Sequence, residues 1–548
     1  MNSIIYIFFY LFLYFLGRGV FILLKSLNGL NSLNYKIATI PINIFYPIIS
    51  LFYIGNLILI FNFFTGTNKT FIYLIGIFPI LLNFLNIFKA SYKQIDIVIK
   101  FLILSILGLS ANTITFHQDA ASYHLAYQNF IRSEKIILGM SNLHIRYGFS
   151  SISEYINSFF WLEKNFLFVH FVNLIFVTVY YFLLFWILKY SNDSKLKIFS
   201  VIVLLYGFFD NFGIEGGKNG YLEIDLIGKQ DSSFGIMFLI TNLFIYLFLI
   251  KLKTISKFEF SFILFFTLFT IQLKLFGFTL LIGVFLLINK YENIRKINIY
   301  FPSFIVGLIW SIKNFLISSC FIFPIEITCF NSKWFEKDAA KIQNQELRTF
   351  HNSYNFLNET PKDFYINWST RYINYYMSIN FLVSLLIILF FLIIFFKFNK
   401  KYSRYKLLFI FYYLVLVFMF LISAPTVRFG YGLFLMLFLV LQLFFREERI
   451  KKFKYFLNKE LISISLLVLV VLTTPLSKNY EFKLESIQLS NIIPPDITYI
   501  KNEGYGYRVN SSDSNDLQFC WLNIECLPKQ KSNLKESFIR DYKIFYLQ

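Results

Sequence analysis

Charge is scarce in this chain. Across 548 residues, Asp, Glu, Lys and Arg make up 15%, against about a quarter in an ordinary soluble domain, and that shortage excludes a conventional soluble enzyme. Acid is the scarcer sign, with 31 Asp and Glu against 51 Lys and Arg, giving a formal net charge of +20. Also missing are a glycine-rich phosphate loop ending in GK[ST], a GxGxxG opening a helix after a strand, and a GxSxG elbow. Nucleotide-driven chemistry is therefore unsupported. An enzyme built on this sequence needs a substrate that is already activated and already in the lipid.

What the chain has in abundance is apolar and aromatic residues. Hydrophobic residues reach 57% and aromatics 21%, with 74 Phe and 37 Tyr, concentrated in runs such as Phe381 to Phe396. Runs of about 18 or more apolar residues read as membrane-spanning helices. Segments at 3–24, 38–62, 70–88, 95–112, 165–188, 197–212, 232–250, 259–273, 275–289, 298–318, 379–396, 406–423, 430–445 and 460–475 predict about fourteen spans by that length rule. Between 259–273 and 275–289, Lys274 and Gly277 mark either a tight hairpin or a break in one longer helix.

Positive charge clusters in short connections, for example Lys397, Lys400, Lys401, Arg404 and Lys406. Such clusters follow the positive-inside rule, which explains the basic balance without a nucleic-acid partner. Placing the basic loops 89–93, 189–197, 251–257, 290–296, 397–406 and 446–459 inside leaves the N-terminus and the C-terminal tail outside. The first apolar run holds Arg18 and lacks a small-residue cleavage site, so it reads as a retained helix rather than a signal peptide. Four outside stretches remain: 113–164, 213–231, 319–378 and the tail. In the third, Trp334 and Trp368 suit headgroup depth. Pro494-Pro495, Gly504, Gly506 and the alternation of Tyr505, Tyr507 and Val509 give the tail the look of a small strand-containing appendage. The cysteines pair by proximity, Cys320 with Cys329 and Cys520 with Cys526, allowing two local disulfides in an oxidising compartment. The expected organisation is N-terminal transmembrane helices at 1–94, a transmembrane module at 95–475 and an extracytoplasmic C-terminal domain at 476–548.

The densest polar cluster lies in the first outside stretch: His117-Gln118-Asp119, Ser122-Tyr123-His124, then Asn142, His144, Arg146 and Gly148. An acid just past a helix end, partly desolvated yet reaching water, suits a general base, and Asp119 is the first candidate. The structural alternative has Asp119 paired with Arg146 or Lys135, pinning the loop. His124 and His144 can position a substrate, but their spacing matches no zinc signature. Arg146, with Asn142 and His144, offers forked donors for phosphate oxygens. In the second stretch Lys229 can meet a phosphate and Asp231 an acceptor or sugar, unless Asp231 simply caps the following helix. Lys274, Lys313 (beside Asn314) and Arg428 lie at membrane depth, where a charge needs a cavity or a partner, or snorkels to the interface. Asp119, Arg146, Asp231, Lys313 and Arg428 all fall on the outside face under one topology.

These blocks resemble the GT-C superfamily, the multi-pass glycosyltransferases that use polyprenyl-phosphate-linked sugars, among them protein O-mannosyltransferases and lipid A aminoarabinose transferases. More closely, they are similar to a branch of large bacterial membrane proteins. Asp119 with Tyr123-His124 matches its D-x-x-x-Y-H, and Asn142, His144, Arg146 and Gly148 match its N-x-H-x-R-x-G. Lys313-Asn314 with Ser318 and Pro324, the segment Arg428 to Gly432, and Cys520-Trp521 with Cys526 and Pro528 extend the likeness. The neighbour of Asp119 is Gln118 where relatives often carry a second acid, and Lys313 stands where many have Arg.

The resemblance implies an all-α polytopic membrane enzyme, GT-C-like, with Asp119 as catalytic base. Substrate binding would fall to His124, Asn142, His144, Arg146, Lys229, Asp231, Lys313, Asn314 and Arg428. It implies inverting transfer of a sugar from a polyprenyl-phosphate donor to a glycan, lipid or protein acceptor on the outer face of the plasma membrane, with no cofactor and no nucleic-acid partner. Competing expectations are a transporter or flippase for lipid-linked glycans, against which no two-fold repeat of broken helices is visible, and an O-antigen polymerase or ligase.

Overall fold

In hydrocarbon an apolar run satisfies its main-chain polar groups by becoming a helix, and the runs read from the sequence are helical over most of the residues that the structure describes, with residues 38–41 at the start of the second run the main departure. The computed structural model describes residues 1–27, 36–66, 79–80, 94–112, 114–162, 165–211, 224, 226–296, 299–334, 340–341, 403–423, 427–444, 460–476, 499–501, 507–509, 520–522 and 534–547. The expected span 379–396 and, apart from residues 79–80, the expected span 70–88 lie outside them, as do Trp368 and Cys526.

The helices that build the body are α1 (Asn2–Leu27), α2 (Tyr46–Asn62), α3 (Gln94–Gly108), α4 (Leu125–Ser133), α5 (Ile152–Phe159), α6 (Leu167–Tyr190), α7 (Ser194–Asn211), α8 (Asp231–Tyr246), α9 (Lys257–Leu273), α10 (Leu280–Lys290), α11 (Phe301–Ser318), α12 (Arg404–Ser423), α13 (Val427–Leu441) and α14 (Glu460–Leu476). Among the described residues, five helical stretches are long and apolar enough to cross a membrane: Asn2–Leu24, Ile42–Asn62, Leu167–Tyr190, Asp231–Lys251 and Phe301–Ser318. Leu275–Lys290, Gly430–Leu441 and Ile464–Thr474 are shorter apolar helices. The chain is thus a mainly helical, membrane-embedded protein.

Sequence decides which helices lie at the centre. Helix α6 and the span beginning with α8 are apolar all round, and 89% and 94% of their apolar windows are buried, as expected of helices surrounded by protein. In α11 only 28% is buried. Its inward face carries Trp310, Lys313, Asn314 and Ile317, while Phe304, Leu308 and Ile312 stay exposed at helical spacing.

The chain direction gives the body two distinct ends. At one, Lys189 Nζ meets Asp96 Oδ1 at 2.6 Å, Lys251 Nζ meets Asp193 Oδ2 at 3.0 Å, and Lys290 Nζ donates to the carbonyls of Phe248, Leu249 and Leu252. The basic connections after α6, α8 and α10 therefore gather together. At the other end the polar stretches meet: strand β1 (Thr115–Phe116) pairs in parallel with β2 (Leu226–Ile227), and the Asn62 amide donates to the carbonyls of Ile131 and Glu134. Near Lys274 the chain makes a hairpin: Lys274 is extended at φ −152° and ψ 145°, the turn Leu275–Thr279 folds back, and α10 returns to the basic end.

The tail holds two antiparallel strand pairs, Tyr499–Lys501 with Tyr507–Val509 and the hairpin Leu534–Ile539 with Tyr542–Leu547. The second is docked on the first polar stretch. Leu138 exchanges main-chain hydrogen bonds with Lys543 and Phe545, both at 3.0 Å. Cys320 and Cys329 form a disulfide, and Cys520 is disulfide-bonded as well.

Candidate functional site

The polar end is organised around an acid that the motif reading passes over. Glu154 sits in the first turn of α5 and is 3% exposed. Its Oε1 meets His124 Nδ1 at 2.5 Å and accepts from Gln230 Nε2 at 3.1 Å, while Oε2 accepts from Gln128 Nε2 at 2.8 Å. Gln128 is itself fixed by Trp161, whose Nε1 donates to Gln128 Oε1 at 2.8 Å. A buried carboxylate is tolerable only with such partners. They come from the first and second polar stretches, which Glu154 ties together.

His124 ends a wide helical turn, Ala120–His124, that leads into α4. Burial alone would push its imidazole down, but attraction to the Glu154 carboxylate and the hydrogen bond to it, helped by Asp119 and Asp231, carries it above its ordinary value. Tyr123 lies beside it, ring centroids 4.2 Å apart, and stacks on His144 at 5.6 Å. Burial first, then the nearby charges of Asp119, Glu154 and Asp231, raises the Tyr123 phenol, and Arg146 pulls the other way. Three candidate charges and Glu154 thus act on one phenol, which stays protonated at neutral pH. Bringing the second stretch this close requires Gly228, at φ +89°, since a Cβ there would lie 2.6 Å from that of Ala120.

Asp119 precedes this turn with its side chain 37% exposed, 3.4 Å from His117 Nδ1. Lys135 turns away to Asp541 at 3.8 Å and to the Tyr542 ring at 4.4 Å. The main-chain N–H of Arg146 donates to His144 Nδ1 at 3.1 Å. Among the described residues the Arg146 guanidinium has no ion-pair partner, and its side chain is partly exposed. A partly exposed acid and a partly exposed guanidinium therefore both act on Tyr123, next to a buried Glu154–His124 pair.

The other expected residues are placed differently. Asn142 is buried, and its Nδ2 donates to the carbonyls of Phe545, at 2.9 Å, and Trp334, which clamps the tail and the third stretch to the first. Lys313 is 0% exposed, donates to the Ser150 carbonyl at 2.7 Å, and lies 5.2 Å from the Trp310 ring centroid and 5.6 Å from that of Tyr155. It holds Ser150 at φ 32°, a left-handed conformation. Asn314 donates to the Phe321 carbonyl at 3.2 Å. Asp231 is the first residue of α8, not its cap, and is ion-paired with Lys274. Lys229 is partly exposed, and its carbonyl accepts from Asn173 at 3.2 Å. Arg428 lies in the first turn of α13 with its side chain outside the described residues. Among the described residues no group of three or more His, Cys, Asp or Glu is placed to hold a metal ion.

Glu154, Gln128 and Gln230 escape a motif search. The one trace of Glu154 in the sequence is an acid set among Ile152, Tyr155, Ile156 and Phe159, residues that otherwise read as a buried helix face.

The family described as "Domain of unknown function (DUF8201)" matches residues 1–435, and the chain belongs to it. No curated protein and no solved structure matches. The family match spans the whole cluster, from Asp119 to Lys313.

Proposed function

We propose that this protein is a multi-pass membrane glycosyltransferase of the GT-C type, with the polar end extracytoplasmic in a bacterial plasma membrane. It would move a sugar from a polyprenyl-phosphate donor to a glycan, lipid or protein acceptor. The observation that carries this reading is that the charges of Asp119 and Arg146 both reach Tyr123, in a body whose apolar helices suit a lipid-borne donor.

In this reaction the acceptor hydroxyl oxygen attacks the anomeric carbon and its proton passes to the Asp119 carboxylate. The bond from that carbon to the phosphate oxygen breaks, and its electron pair leaves with the polyprenyl phosphate. Arg146 stabilises the phosphate charge by forked donation. His124, oriented by Glu154, and His144, stacked on Tyr123, line the sugar side. Lys313 acts at a distance from the phosphate: its Nζ is committed to the Ser150 carbonyl and fixes the turn that follows Arg146.

The test is transfer from a panel of radiolabelled polyprenyl-phosphate sugars in membranes with matched expression of wild type and Asp119→Asn. Loss of a general base predicts a fall of about 10²- to 10⁴-fold in the variant. Undiminished transfer removes Asp119 from the mechanism, and no transfer by wild type with any donor overturns the reading in favour of a transporter.

A further inference from the structure

The loop between Cys320 and Cys329 has two faces of opposite character. Inward, Phe323 is 1% exposed and packs on the Arg146 segment: its ring lies 5.4 Å from that of Phe149, and a Cβ on Gly148 would come within 2.7 Å of it. Outward, Ile327 is 87% exposed, with Phe321, Ile325 and Phe330 also exposed. From Cys320 to Cys329 only Glu326 is charged.

Exposed apolar surface of this kind marks a contact with something apolar. Its continuity says what. Phe304, Leu308 and Ile312 form the exposed stripe of α11, a helix long and apolar enough to span. One step further along that stripe, Phe315 stacks on Phe321 at 5.3 Å and meets Phe330 at 6.3 Å. The stripe that faces lipid on the helix thus runs unbroken onto the loop. The loop also satisfies much of its own main chain, a requirement for entering a medium poor in water. Phe321 N–H donates to the Thr328 carbonyl at 3.0 Å, Ile322 N–H to Thr328 Oγ1 at 3.1 Å, and the Asn314 amide to the Phe321 carbonyl at 3.2 Å.

We propose that the disulfide-closed loop Cys320–Cys329 is seated in the bilayer, with Phe321, Ile325, Ile327 and Phe330 among the lipid chains, as the lipid-side wall of the Arg146 segment. Glu326 holds it at headgroup depth, where its carboxylate reaches water. A lipid lying against this wall has its headgroup beside the segment that carries the Arg146 guanidinium. The inference rests on the membrane reading alone and stands whether or not a sugar is transferred.

The experiment uses the full-length protein in nanodiscs of phosphatidylcholine and phosphatidylglycerol. Ile327→Cys carries a bimane label, and Asp541→Cys, at a side chain 92% exposed in the tail hairpin, serves as the aqueous reference. Mass mapping of the Cys320–Cys329 bridge accompanies each variant. The label at residue 327 is expected to be quenched several-fold more than the reference by a lipid bearing a nitroxide at the headgroup boundary, and several-fold less by iodide. Iodide quenching equal to the reference overturns the proposal. So does shielding from both quenchers, which would mean that protein covers the loop. Ile325→Cys repeats the measurement if Ile327→Cys does not fold.

Discussion

Both ends of the helical body carry charged residues, yet they use them differently. At the basic end the charges close on one another or on helix termini: Lys189 on Asp96, Lys251 on Asp193, Lys290 on three carbonyls at the end of the span that begins with α8. At the polar end, Glu154 collects partners 26, 30 and 76 residues away in sequence, while Asp119 and Arg146 stay open to the surface. Pairs that fasten neighbouring helix ends need nothing beyond their own attraction. Charged groups drawn from separate polar stretches to the neighbourhood of Tyr123, with Asp119 and Arg146 partly exposed, make the polar end the place to look for chemistry.

The sharpest way to break this contrast is Glu154→Leu. It leaves His124, the buried Gln128 amide and the half-buried Gln230 amide without their acceptor, and removing one member of a buried ion pair costs about 3–5 kcal/mol. Thermal unfolding in nanodiscs should register a loss of that order, and an unchanged midpoint would show that the carboxylate is not a structural hub. The same pair has a pH signature. Since the folded-state pKa of His124 is raised, the stability it contributes is complete below the unfolded value of about 6.5 and is lost as pH rises through the folded-state value. Wild type should therefore lose stability on that rise, and Glu154→Gln should flatten the profile.

Arg146→Ala is expected to leave stability within about 0.5 kcal/mol, as for a surface change, while donor transfer falls. A large drop in unfolding midpoint without loss of transfer would return Arg146 to a structural role. The smallest effect belongs to the basic end. Lys251→Ala removes a partly exposed pair and should cost no more than about 1 kcal/mol, with transfer unaltered. A strong functional defect there would erase the distinction between the two ends.

Particular elements show how far the sequence could be read. The run 165–188 became Leu167–Tyr190 and 298–318 became Phe301–Ser318, because the length of an apolar run and its cost in water are properties of the run itself. The proximity of Cys320 and Cys329 was equally local. From the sequence Asp231 is a contact to acceptor or sugar or a cap, and Lys274 a charge at membrane depth in need of a cavity or a partner; each is the other's partner in one ion pair. No periodicity encodes a contact across a helical hairpin. Asn142 and Lys313 carry the right donors for phosphate, but packing turned both onto main-chain carbonyls.

By itself, the sequence determined that this chain is helical and membrane-embedded, where its basic connections fall, and which short polar stretches hold its few acids and histidines. These follow from hydropathy and charge, which act residue by residue. Only the tertiary structure decided that Glu154 is the buried centre, that His124 gains its proton affinity from it, and that Asp119 and Arg146 remain open while Asn142 and Lys313 do not. Those outcomes depend on which groups meet after the helices pack, and a hydrogen bond or a desolvated charge exists only once both partners are in place.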